Sequence, residues 1–243
     1  MISFKRKTAC LCCFSLLLAL PLSASALNLY TEEYPPFNMS DAKTGALSGI
    51  SVDKVVMLMQ RANQAYSIKS MPWTRSYQMA LQQEHSCVFS TTRTPEREAQ
   101  FQWVGPLVHN NWVVFARADD SRVPKQLEDL RPYVVGGYQN DAVAEFLKHN
   151  GFEVDLAMND ADNPRKLLHK RFDFWATGEM LGTWLIQRSH LQGQIVPLFT
   201  FKQTDMYLAC HLKMPAQKIT YFNQILRQME RDGSTQAIER KYR

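Results

Sequence analysis

Ser90-Thr91-Thr92-Arg93-Thr94-Pro95-Glu96-Arg97 is the stretch on which the reading of this chain turns. It follows Cys87-Val88-Phe89, a short apolar run that reads as a buried strand. Hydroxyls and a guanidinium thus stand at the carboxyl end of a strand, where open α/β sheets bind ligands. Arginine presents a planar fork that grips a carboxylate through two parallel hydrogen bonds, and neighbouring hydroxyls add donors. The plainer reading of the same residues is a strand end followed by an N-capped turn over Thr94-Pro95-Glu96-Arg97.

On the amino-terminal side, Leu27-Asn28-Leu29-Tyr30 alternates into a first strand, broken by Tyr34-Pro35-Pro36-Phe37. Val52, Val55, Val56, Met59 and Ala62 recur at helical spacing and predict a helix over 51–64. Tyr66–Ser70 reads as the second strand, and Pro72-Trp73-Thr74-Arg75 opens the next helix. Strand-helix-strand-helix-strand implies parallel pairing with right-handed crossovers. On the carboxyl side, Asn111–Arg117 is a β-prone run. A second series follows, with strands at 133–136, 152–156 and 172–175 and helices at 141–149, 163–170 and 179–188. Met206–Cys210 is a returning strand, and helices over 216–230 and 234–241 close the chain. The order describes one lobe begun, a second inserted and the first completed, the layout of a protein that closes on a ligand. The runs near 113 and 208 are the expected two-strand hinge.

Ahead of this lie Lys5-Arg6-Lys7, an apolar stretch from Ala9 to Leu20, and Ala24-Ser25-Ala26. That is the pattern of a cleavable signal peptide over 1–26, and its apolar run is too short to span a bilayer comfortably. Neither Cys10, Cys12 nor Cys13 follows the Leu-x-small triplet of a lipoprotein. The expectation is an exported, periplasmic chain from Leu27 to Arg243. Loss of the leader takes the 28 basic residues to 25 against 23 acidic ones, so the net charge falls from +5 to +2. With no basic cluster interleaved with aromatics, nothing points to nucleic acid. Cys87 and Cys210 remain, in an oxidising compartment. No ligand set at metal spacing appears, so no metal or other cofactor is expected.

The run from Ser90 to Arg97 resembles the x-T-x-T-P-E-R motif of family 3 periplasmic solute-binding proteins. The resemblance covers essentially the whole mature chain. It includes Tyr34-x-Pro-Phe37, then Gly45 with Gly49-Ile50-x-Val52-Asp53, and Asp232-Gly233-Ser234 with Ile238-x-x-Lys241-Tyr242. Each is weak alone; in order and at this spacing they are strong together. The resemblance implies an α/β fold of type II periplasmic-binding-protein architecture, with lobe 1 over 27–113 and 205–243 and lobe 2 over 114–204. It also implies a monomer.

By the same resemblance, Ser90, Thr92 and Arg97 hold a ligand carboxylate. Ser90 and Thr92 are two apart, so on an extended strand they face the same way. Tyr34 and Phe37 match an aromatic wall of the cleft, and Trp73 a cleft-facing position after strand two; the alternative for these aromatics is plain core. Arg75 is a second candidate anion contact or an exposed helix-start arginine. On lobe 2 the Gly137–Ala142 loop offers Asn140, and Asp141 reads best as a helix N-cap. The chain departs from the pattern at Gly178, where amino-acid binders place an Asp that pairs with the ligand ammonium. Glu179 is the candidate to take that role, or simply an acidic first helical turn; Trp175 is a candidate aromatic wall beside it. The family's sheet order puts the returning strand beside strand three, which brings Cys87 and Cys210 within bonding reach; two buried thiols are the alternative.

The leading functional expectation is capture of a small anionic or zwitterionic ligand, read by an ABC permease or a membrane sensor. A dehydratase-like enzyme on the same scaffold is the second reading; it needs a general acid, for which Glu179 is the candidate. No catalytic residue is assigned under the leading reading. A third reading is a ligand-free protein-interaction module, which predicts an Arg97 already paired with a protein carboxylate.

Overall fold

The computed structural model describes residues 26–242. The expected leader, with its basic run and first three cysteines, lies outside the described residues apart from Ala26. The chain begins with β1 (Leu27–Thr31), a proline-rich turn, and a small hairpin of β2 (Met39–Ser40) and β3 (Leu47–Ser48). Then come α1 (Ile50–Arg61), β4 (Tyr66–Ser70), α2 (Trp73–Gln82), β5 (Ser86–Thr92), the single turn α3 (Pro95–Glu98) and β6 (Phe101–His109). The second sheet is built from β7 (Trp112–Arg117), β8 (Val134–Tyr138), α4 (Ala142–His149), β9 (Glu153–Ala157), α5 (Asn163–Leu168), β10 (Phe174–Gly178), α6 (Glu179–Arg188) and β11 (Ile195–Lys202). The chain returns through β12 (Asp205–His211) and ends in α7 (Ala216–Arg231) and α8 (Ser234–Arg240).

Periodicity explains the helices. In α1, Val52, Val55, Leu58 and Met59 recur every three or four residues and are fully buried. The first sheet has the order β4-β1-β5-β12-β6 and the second β11-β7-β10-β8-β9. Each has a parallel trio (β4, β1, β5; β9, β8, β10) continued by antiparallel strands, so the two sheets follow one plan. In such a plan the carboxyl ends of the first and third parallel strands flank the point where strand order reverses, and a crevice opens there.

Two connections join the sheets, at Asn110–Asn111 and at Gln203–Thr204. They are tied together: the Asn110 amide donates to the Thr204 carbonyl (2.8 Å) and the Thr204 hydroxyl to the Asn110 carbonyl (2.6 Å). The crossing therefore falls before the boundary expected at 113/114, because Trp112 and Val113 already pair with β10 and β11. The runs near 113 and 208 each lie within one sheet and do not form the hinge themselves.

Besides the two-residue strands β2 and β3, two strands escape the sequence reading, and both are edge strands carrying proline. In β6, Gly105-Pro106-Leu107 bulges opposite Tyr207; in β11, Pro197 pairs with Phe115 beside another bulge. Proline cannot donate to a ladder and is tolerated where one side of the strand faces no partner. Strand β5 is also longer than expected and includes Ser90 and Thr92. Ser90 has φ +58° and sits in a bulge, Phe89-Ser90 opposite Leu208. The two-residue alternation that would point Ser90 and Thr92 the same way is therefore broken.

Cys87 and Cys210 are directly opposed on β5 and β12, and their sulfurs are bonded at 2.06 Å. The motif residues at the two ends of lobe 1 touch. The Tyr242 hydroxyl accepts from the Gly49 amide (2.9 Å) and donates to Asp53 (3.1 Å), and Arg61 pairs with Asp232 at 2.6 Å.

Candidate functional site

The carboxyl ends of β1, β4 and β5 meet those of β8, β9 and β10, and a seam of hydrogen bonds crosses between the sheets. At its centre is Asn140, in the left-handed region (φ +60°) just after β8. Its backbone carbonyl accepts from Trp73 Nε1 (2.9 Å) and from Arg97 Nη2 (3.2 Å), and its side-chain Nδ2 donates to Thr74 Oγ1 (2.8 Å). Tyr138 donates across the same gap to Glu32 Oε2 (3.1 Å). Asp141 caps α4 by accepting from the Val143 amide (3.1 Å).

Arg97 follows β5 on α3 and is only 4% exposed. Its guanidinium lies 5.6 and 5.2 Å from the ring centres of Trp73 and Tyr77, which favour a cation over their faces. Its carboxylate partner is Glu145 of α4, with Nη2 to Oε2 at 2.8 Å. The expected anchor for a ligand carboxylate thus already holds a carboxylate from the opposite lobe.

Two cavities flank the seam. One of about 620 Å³ is lined by Trp73, Tyr77, Arg97, Asn140, Glu145 and Phe146 among others, with Lys202 and His149 also on its wall. The other, of about 150 Å³, is lined by Glu32, Tyr34, Tyr138, Asp160, Leu181 and Trp184 among others. Three carboxyl groups lie near the seam with their ionised forms disfavoured. Burial, then the field of Asp141, raises Glu32 well above the usual carboxylate range. Burial pushes Asp141 up to about 6 against the opposing pull of Arg97. Burial also raises Asp160, although Asn163, Trp175 and Thr177 all donate to it.

The residues singled out from sequence fall into two groups. Arg97, Trp73 and Asn140 meet in the larger cavity, and Tyr34 lines the smaller one. The others lie elsewhere. Ser90 donates to Asn38 Oδ1 (2.9 Å), and Thr92 lines a separate open groove of about 660 Å³ with Arg93 and Tyr207. Arg75 is exposed on α2. Phe37 and Trp175 are buried core, the latter donating to Asp160. Glu179 is exposed at the start of α6 and accepts from Asn111 (3.1 Å).

Gly178 has a steric explanation. A Cβ there would come within 2.5 Å of Asn110 Oδ1 and 2.7 Å of the Tyr34 hydroxyl. The space that a side chain would need is filled by those two side chains, with Asn110 Nδ2 donating to the Tyr34 hydroxyl at 3.4 Å.

The sequence motifs do not point to Glu32, Glu145 or Asp160. Glu145 reads as an ordinary helix-surface acid, and Asn159-Asp160-Ala161-Asp162 as a polar turn. The adjacent Glu32-Glu33 at a strand end was the available signal, since alternation sends one of such a pair inward.

The family described as bacterial extracellular solute-binding proteins, family 3, matches residues 28–243. No curated protein matches the chain by sequence. Among solved structures, a histidine kinase sensor domain with similarity to periplasmic binding proteins superposes with a TM-score of 0.83 at 20% identity, covering 90% of this chain and 96% of that one. The P235GK mutant of ArgBP from T. maritima gives 0.77 at 19% identity, covering 89% and 94%. The ancestral amino acid-binding protein AncCDT-1, a precursor of cyclohexadienyl dehydratase, gives 0.76 at 18%, covering 89% and 94%. At these identities the likeness concerns the fold, which is that of the type II periplasmic binding proteins.

Proposed function

The chain belongs to family 3 of the bacterial extracellular solute-binding proteins, and from that premise we propose that it captures a small carboxylate-bearing solute between its lobes in the periplasm. The observation that carries the proposal is Arg97. It is buried in the cleft wall, stacked among aromatics, and holds a carboxylate oxygen at 2.8 Å across the seam. A ligand carboxylate takes the place of Glu145 on the Arg97 guanidinium. Closure is then read by a membrane partner, an ABC permease or a sensor.

The Arg97–Glu145 pair also favours a second reading, in which the lobes are held together without any solute and the closed form acts through protein contacts. An enzyme reading has less support, since its candidate acid, Glu179, is exposed and bonded to Asn111.

The test is a thermal-shift panel on residues 27–243 with α-amino acids, simple carboxylates and aromatic acids. A true ligand at about 100 times its Kd stabilises the protein by roughly 2.7 kcal/mol. The solute-binding reading expects a carboxylate that stabilises the wild type and has no effect on Arg97→Ala. A panel without any shift favours the ligand-free reading, and turnover of a panel member favours the enzyme.

A further inference from the structure

The smaller cavity carries a chemistry that Arg97 does not explain. Glu32, Glu33 and Asp160 supply three carboxyl groups to its wall, and Tyr34, Tyr138 and Trp184 supply aromatic surface. Among the described residues that line it there is no lysine, arginine or histidine. Glu32 is 8% exposed. Its Oε2 accepts from Tyr138, but among the described residues no group donates to its Oε1 and no basic side chain pairs with it. Asp160 differs: Asn163 and Trp175 donate to Oδ1 and Thr177 to Oδ2, so it is held in place and acts through its field. The nearby guanidinium of Arg97 is committed to Glu145. A buried carboxylate without a cation is unfavourable, and it is relieved when a cation arrives to pair with it.

We propose that this cavity is a subsite for a small organic cation, an ammonium or guanidinium group, gripped by Glu32 from the first lobe. The proposal deepens the solute-binding reading and rests on it: the acid that Gly178 lacks on the second lobe is supplied from the other side of the cleft. An acid at Gly178 requires the Asn110 and Tyr34 side chains to move, whereas Glu32 already opens on the cavity. The volume, about 150 Å³, is that of a cavity that holds benzene, so it suits a cationic head on a short apolar stem. The tyrosine and tryptophan faces favour the positive charge.

The experiment titrates residues 27–243 with n-butylammonium, n-butanol and n-butyrate at matched ionic strength. Affinity is read by calorimetry, and the Trp184 indole resonance reports where the probe sits. The expected result is n-butylammonium binding at least tenfold more tightly than n-butanol, with n-butyrate leaving Trp184 unmoved. Glu32→Gln keeps the shape and the Tyr138 partner and should erase the preference for ammonium over alcohol. Equal binding of alcohol and ammonium by the wild type overturns the proposal even if the variant does not fold, and so does an unchanged preference in Glu32→Gln. A carboxylate that stabilises the protein while n-butylammonium fails removes the cation subsite and leaves the solute-binding reading standing. The reverse outcome keeps the subsite and removes Arg97 as the anchor.

Discussion

If the Arg97–Glu145 pair bridges the lobes in solution, a double-mutant cycle will show it without any ligand. The perturbations are Arg97→Ala, Glu145→Ala and the double variant. The pair is a charge-assisted hydrogen bond of 2.8 Å between a side chain 5% exposed and one 53% exposed. Fully exposed pairs contribute roughly 0–1 kcal/mol, and breaking a buried pair costs about 3–5 kcal/mol. With one partner buried and the other half in water, the coupling should fall at about 1–2 kcal/mol. Urea unfolding of the four proteins gives the coupling as the difference between the double variant and the sum of the single ones. Because Glu145 is half in solvent, the coupling should shrink as salt rises from 50 mM to 500 mM, both chosen around the ordinary screening range of roughly 0.1 M. Small-angle scattering of Glu145→Ala should show a larger radius of gyration than the wild type. A coupling below about 0.3 kcal/mol, within the scatter of independent sites, would refute the bridge. It would mean that Arg97 faces an open, solvated cleft.

Three further outcomes are expected. Reducing the Cys87–Cys210 bond, which closes a loop with a sequence separation of 123, should cost about 4–5 kcal/mol by relaxing the unfolded chain. A melting temperature that dithiothreitol leaves unchanged contradicts this. Gly178→Asp forces a side chain against Asn110 and Tyr34; it should destabilise by roughly 1–3 kcal/mol, measurable as a lower urea midpoint, and a neutral result would show that the cleft yields easily. For Asp141, the folded-state pKa of about 6 lies above the ordinary 3.8, so the stability it contributes is present at low pH and is lost as pH rises from about 4 through 6. Asp141→Asn keeps the cap on α4 without the charge. It should be more stable than the wild type by about 3 kcal/mol at pH 7, with the difference vanishing below pH ~4; a variant less stable at pH 7 would count against the shift.

The regular elements were legible because their signals are local. The spacing of Val52, Val55 and Met59 specifies α1, and the parallel order follows from alternating strand and helix. Strands β6 and β11 were not legible because Pro106 and Pro197 read locally as breakers. Only the absence of a neighbour on the outer side makes them acceptable strands. The site divided in the same way. Arg97 stands in a motif with a mechanism of its own, but Ser90 lies in a bulge set by its pairing with β12, and no local pattern announces that.

From the chain alone came the two-lobe α/β plan, the order of its elements, and Arg97 as the residue to follow into the cleft. These rest on periodicity and on motifs a few residues long, which act over a turn or a strand. Tertiary structure alone decided that Glu145 reaches Arg97, that Glu32 and Asp160 face one cavity, and that Gly178 has no room for a side chain. Those partners are separated by 48 residues for Arg97 and Glu145 and by 106 for Glu32 and Tyr138. Burial and charge pairing at such separations depend on how the two sheets dock, and no local run of sequence encodes that.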